Sequence, residues 1–101
     1  MDGKYTRLCD KIGVAATLEA MAEECFELGH ACLKYSRYLR GENPIHGYDE
    51  SKLKKQLTEE LADVRLDINE VCKTGLVDES EVTNTVDRKA KRMYDLIGVK
   101  A

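Results

Sequence analysis

Apolar residues recur every three or four positions through three long stretches of this chain, and polar residues fill the intervals. Between Val14 and about Leu39 the stripe is Leu18, Met21, Cys25, Leu28, Cys32, Tyr35 and Leu39, the period of an amphipathic helix. A second helix is predicted to start near Asp49 to Ser51, with Leu53, Leu57, Leu61, Val64, Ile68 and Val71 on its apolar side and Gly75 at its C-terminal end. A third, capped by Asp78 or Ser80, carries Val82, Val86, Ala90, Met93 and Leu96-Ile97, and Gly98 stops it. The stem of Lys89 lies beside Ala90 on the same side. Residues from about Lys4 to Ile12 suit a shorter helix ended near Gly13. Between about Arg40 and Asp49, Gly41, Asn43, Pro44 and Gly47 break the pattern into a loop. No stretch alternates with period two, so no sheet is expected. The expectation is an all-α fold, an antiparallel helical bundle formed by one domain spanning residues 1–101. A bundle this thin leaves apolar stripe uncovered, which predicts a homodimer or homotetramer.

Composition narrows the partners. Of 101 residues, 43% are hydrophobic and 35% charged, with a formal net charge of −3. That balance offers no attraction to a nucleic acid polymer or an anionic membrane. No apolar run approaches the ~20 residues of a membrane span, and the first residues show no signal-peptide pattern, so a cytoplasmic location is expected. Cys9, Cys25, Cys32 and Cys72 form no Cys-x-x-Cys pair and there are only two histidines, which argues against a structural zinc site. Cys25 and Cys32, two turns apart, read as small buried apolar residues.

The chemistry lies in two acidic clusters, Glu23-Glu24-Cys25-Phe26-Glu27 and Glu60-Leu61-Ala62-Asp63. Each sets two carboxylates three residues apart, which in a helix stacks them on one side, about 5–6 Å apart at Cβ. Brought together, such pairs form an oxygen-only cage suited to Mg²⁺, the usual handle for polyphosphate substrates. On the helical wheel Glu24 borders the first apolar stripe, and Glu27 lies further round beside Ala20 and Ala31. Glu60, Asp63 and Asp67 share one flank of the second stripe, so the pairs can face each other across a groove between helices. The plain alternative is solvated surface charge, since the chain has 19 acidic residues.

The segment Ala22-Glu23-Glu24-Cys25-Phe26-Glu27-Leu28-Gly29-His30-Ala31 resembles the E-E-x-x-E motif of the MazG-like all-α nucleoside triphosphate pyrophosphohydrolases. Thr58-Glu59-Glu60-Leu61-Ala62-Asp63-Val64 resembles their E-x-x-D motif. The basic run Asp87-Arg88-Lys89-Ala90-Lys91-Arg92-Met93-Tyr94 is similar to the family's loose K-x-x-R region, so the likeness extends from about Leu18 to Gly98. It implies magnesium-dependent hydrolysis of a nucleoside triphosphate to the monophosphate and pyrophosphate, with Mn²⁺ a possible substitute. The metal ligands it implies are Glu24, Glu27, Glu60 and Asp63. Glu23 would orient a ligand or the attacking water, and Lys89 and Arg92 would neutralise phosphate charge. Asp67, one turn past Asp63, would hold a second cation or touch the sugar.

There are departures. The motifs are separated by 32 residues, Leu28 to Glu59, more than the family usually shows, with the surplus around Asn43-Pro44-Ile45-His46-Gly47-Tyr48, a lid or a subunit contact. Arg65 replaces an acidic or apolar residue, and no tryptophan is present to stack on a base, leaving Tyr35, Tyr38 and Tyr48. Glu27-Leu28-Gly29-His30 is also a Glu-x-x-His step, but the second copy a di-iron bundle needs is missing, and His30 reads as a polar residue at the bundle edge. The rival from another class is a non-catalytic helical interaction module that binds a partner through its stripes.

Overall fold

A computed structural model describes residues 7–42 and 49–98. Those residues form four helices, α1 (Leu8–Ile12), α2 (Val14–Arg40), α3 (Glu50–Lys73) and α4 (Glu79–Ile97), and no strand occurs among them. The N-terminal part of the first expected helix and the loop segment 43–48 lie outside the described residues.

Local chemistry accounts for the helix ends. Asp49 caps α3 by accepting the Ser51 amide, and Asp78 caps α4 by accepting the Ser80 and Glu81 amides. Each carboxylate satisfies donors that the first helical turn leaves without partners, and its charge suits the positive end of the helix. The Ser51 amide holds Asp49 below the usual carboxylate range, and the Ser80 hydroxyl, then the Glu81 and Ser80 amides, hold Asp78 below it. Gly41 ends α2 and Gly98 ends α4 in the left-handed conformation, at φ 67° and 74°, which a side chain would strain.

The two long helices run antiparallel. Tyr35 of α2 donates to Glu50 Oε1 at the start of α3 (2.9 Å), while Arg7, just before α1, donates to the Lys73 carbonyl at its end (2.6 Å). Arg7 also grips Asp10 through two bonds of 2.9 Å, so one guanidinium ties α1 to the far end of α3. At the junction of α1 and α2, Thr17 is buried and its hydroxyl donates to the Gly13 carbonyl.

The core of this pair is small. Among the described residues, Cys9 of α1, Ala31 of α2, and Leu53 and Val64 of α3 are the buried apolar ones, and no large side chain is fully enclosed. α2 packs on α3 through Thr17, Glu24 and Ala31, an edge of the apolar stripe rather than its centre. Cys25 and Cys32, expected inside, are therefore exposed, and Leu39 is 66% exposed. α4 makes no extensive contact with the other described helices, so the antiparallel packing is seen between α2 and α3. The radius of gyration, 17.6 Å, exceeds the ~13 Å of a compact chain this long.

Candidate functional site

Where α2 crosses α3, carboxylates meet. Glu24, Glu60 and Asp63 each place an oxygen so that all three lie within 4.8 Å of one another. Glu24 comes from the inner edge of α2, and Glu60 and Asp63 are one turn apart on α3, so the group exists only because the two helices pack. One oxygen each of Glu24, Glu60 and Asp67 is shut off from water and lacks a hydrogen-bond partner. An oxygen of that kind is unfavourable unless a proton or cation supplies what water no longer does.

The electrostatics express the same conflict. Burial pushes the Glu24 carboxyl above the ordinary glutamate value, and its neighbours Asp63, Glu27, Asp67 and Glu60, all acidic, push it further. Burial likewise raises Glu60, followed by Glu27 and Asp63 and by a hydrogen bond from the protonated Glu60 carboxyl to Glu27. Asp67 is raised by burial and then by Asp63 and Glu70. A set of hard oxygen donors with crowded negative charge suits Mg²⁺ or Mn²⁺.

The structure places the other expected residues less uniformly. Glu27 touches Glu60 but is outside the group of three. Glu23 is exposed on the side of α2. Asp67 extends the acidic line along α3, and Glu70, which the sequence reading passed over, continues it: Glu70 is buried, bonded through Oε1 to Lys73 at 3.2 Å, with Oε2 unpartnered. Its signal was available in the 3-4-3 spacing of Glu60, Asp63, Asp67 and Glu70, which keeps all four near one side of a helix. Lys89 and Arg92 are exposed on α4, which does not pack over the acidic group. His30 is exposed. Tyr35 and Tyr38 meet edge to face, with centroids 6.3 Å apart. Burial, and then the bond to Glu50, raises the Tyr35 phenol's hold on its proton. An open groove of about 560 Å³, lined by Cys32, Leu39, Leu57 and Leu61 among others, runs along the other side of the helix pair.

Comparison with protein-family models, curated proteins and solved structures finds no match to this chain.

Proposed function

We propose that this protein hydrolyses a nucleoside triphosphate to the nucleoside monophosphate and pyrophosphate, using Mg²⁺ held by Glu24, Glu60 and Asp63. The observation that carries the reading is the convergence of those three carboxylates, with buried and unpartnered oxygens on Glu24 and Glu60. The resemblance of the two acidic motifs to the MazG-like pyrophosphohydrolases supplies the reaction type. A divalent cation held there by Glu24, Glu60 and Asp63 would offset charge on the phosphates and supply an acidified water. Glu27, beside Glu60, completes the ligand set or accepts a proton from water. Glu23, on the outer side, acts on the orientation of its neighbours. Asp67, one turn past Asp63 on α3, would hold a second cation or touch the sugar.

Lys89 and Arg92 would serve as phosphate ligands only if α4, from the same chain or from another copy in a homodimer or homotetramer, approached the acidic group. A cytoplasmic location suits a nucleotide substrate. No helix of the described residues is long and apolar enough to cross a membrane.

The test is a panel of ribo- and deoxyribonucleoside triphosphates with Mg²⁺, assayed for pyrophosphate. At least one nucleotide turns over, and Glu24→Gln or Asp63→Asn lowers the rate at least about 100-fold with helical content retained. Release of orthophosphate alone rejects the reaction type. One observation favours the second reading, a non-catalytic interaction module: the long apolar surfaces left open on α2, α3 and α4. That reading predicts a fold indifferent to divalent cations.

A further inference from the structure

The side of the α2–α3 pair away from the acidic line is concave and of opposite charge. The groove of about 560 Å³ between α2 and α3 adjoins a hollow of about 480 Å³ on α3, and the two share Thr58 and Leu61. No aspartate or glutamate lines either, although 19 of the chain's residues are acidic. Their charged members are Lys54 in the groove and Arg65 in the hollow, both exposed. Among the described residues neither side chain has a hydrogen-bond or ion-pair partner. The two are eleven positions apart on α3, which sets them on one side of that helix with a rise of about 16 Å between them. Leu61, 51% exposed, stands between them, and Leu39 of α2, 66% exposed, walls the groove.

We propose that this trough receives an amphipathic helix of a partner protein, apolar along its inner edge and carrying carboxylates about three turns apart that meet Lys54 and Arg65. Backbone chemistry selects the helix. The walls are helices whose own amides and carbonyls are already bonded, so an extended segment laid there finds no partners for its backbone. A helix brings its hydrogen bonds with it, and the groove between two packed helices suits the ridge of a third. Charge selects the sign. Two unpaired cations beside an apolar strip attract a helix with an acidic border and repel a basic one. α4 is a poor occupant for that reason, whether from this chain or from a second copy. Lys89 stands in its apolar stripe beside Val82 and Val86, and Arg92 follows one turn later. The trough and the acidic group occupy opposite sides of the pair, so a bound partner leaves the cation site open. The inference is thus independent of the pyrophosphohydrolase reading.

The probe is a fluorescein-labelled designed peptide of about six helical turns, with a leucine stripe and two border glutamates about three turns apart. Anisotropy with the full chain reads its binding. Saturable binding of one peptide per chain is expected, weakening as salt rises. Lys54→Glu combined with Arg65→Glu lowers the affinity at least about tenfold, with helical content kept because both positions are exposed. The same double variant prefers a peptide whose border glutamates are replaced by lysines, a reversal that general stickiness does not produce. Bound peptide also protects Cys32, which lines the groove, from alkylation. Equal affinity for the glutamate and lysine peptides, or an affinity untouched by the double variant, overturns the proposal. So does an absence of saturable binding. A dimer in sedimentation that shields Cys32, and that the peptide does not dissociate, overturns it by showing a second copy in the trough.

Discussion

Three carboxyl groups, on Glu24, Glu60 and Asp67, hold their protons to higher pH in the folded chain than in water. Between the ordinary carboxylate range, about 4, and their raised values, the folded state binds more protons than the unfolded one. Their contribution to stability is complete below that window and is lost as pH rises through it. In chelator, the melting temperature is expected to fall as pH rises above the ordinary carboxylate range, and Mg²⁺ or Mn²⁺ to flatten the fall. Asp10, Asp49 and Asp78 behave oppositely: held low by Arg7 and by capped amides, they stabilise above the ordinary range and fail as pH drops through their lowered values. Acid denaturation at the low end belongs to them. Glu24→Gln separates the two effects. It is expected to raise the cation-free melting temperature at pH 7 and to abolish most of the cation-dependent rise, with the acid limb unchanged. A variant with an unaltered response to cations sinks the assignment of Glu24 to the cage.

At the scale of elements, the helix limits were legible because their causes are local. Asp49, Asp78, Gly41 and Gly98 act on amides and carbonyls within a few residues of themselves. Asp78→Ala removes the acceptor for two amides, a loss of about 1 kcal/mol. Because α4 gains little from packing, the loss is expected to show as fraying of α4 itself, read by hydrogen exchange at residues 79–83. Leu53 is different in kind. At 3% exposure it is among the few residues that hold α2 to α3, and Leu53→Ala is expected to cost about 2–5 kcal/mol in urea unfolding. What the periodicity did not reveal is which part of the α2 stripe faces α3. Leu18, Cys25 and Cys32 share that stripe with Leu28 and Tyr35, yet only its far edge is used. An apolar arc broader than one helix contact admits more than one azimuth, and the choice falls to the partner surface.

The whole molecule is an elongated body of 50 × 38 × 19 Å, with α4 standing off an antiparallel pair. Val86, Met93, Leu96 and Ile97 on α4 are exposed, with Leu96 at 77%. A core this small leaves little apolar burial to offset the conformational entropy lost on folding. If the chain associates as it folds, its melting temperature depends on protein concentration. A rise of several degrees per hundredfold in chain concentration is expected in the absence of ligand, and a melting temperature independent of concentration argues for a self-sufficient monomer. A cation that binds the acidic group would add to this independently: at 100 times its dissociation constant the gain is about 2.7 kcal/mol.

Read alone, the sequence determined where the helices begin and end and which acids stand one turn apart, because hydrogen-bond caps and a 3.6-residue repeat act over a few neighbouring residues. It also placed Glu60, Asp63 and Asp67 along one flank of α3. Only the tertiary structure decided that Glu24 reaches Glu60 and Asp63 while Glu23 does not, that Glu70 further along α3 is buried while Asp63 is exposed, and that α4 keeps Lys89 and Arg92 away from the acidic group within one chain. Those outcomes depend on the rotation of each helix about its axis and on contacts between residues far apart in the chain, and no local repeat specifies either.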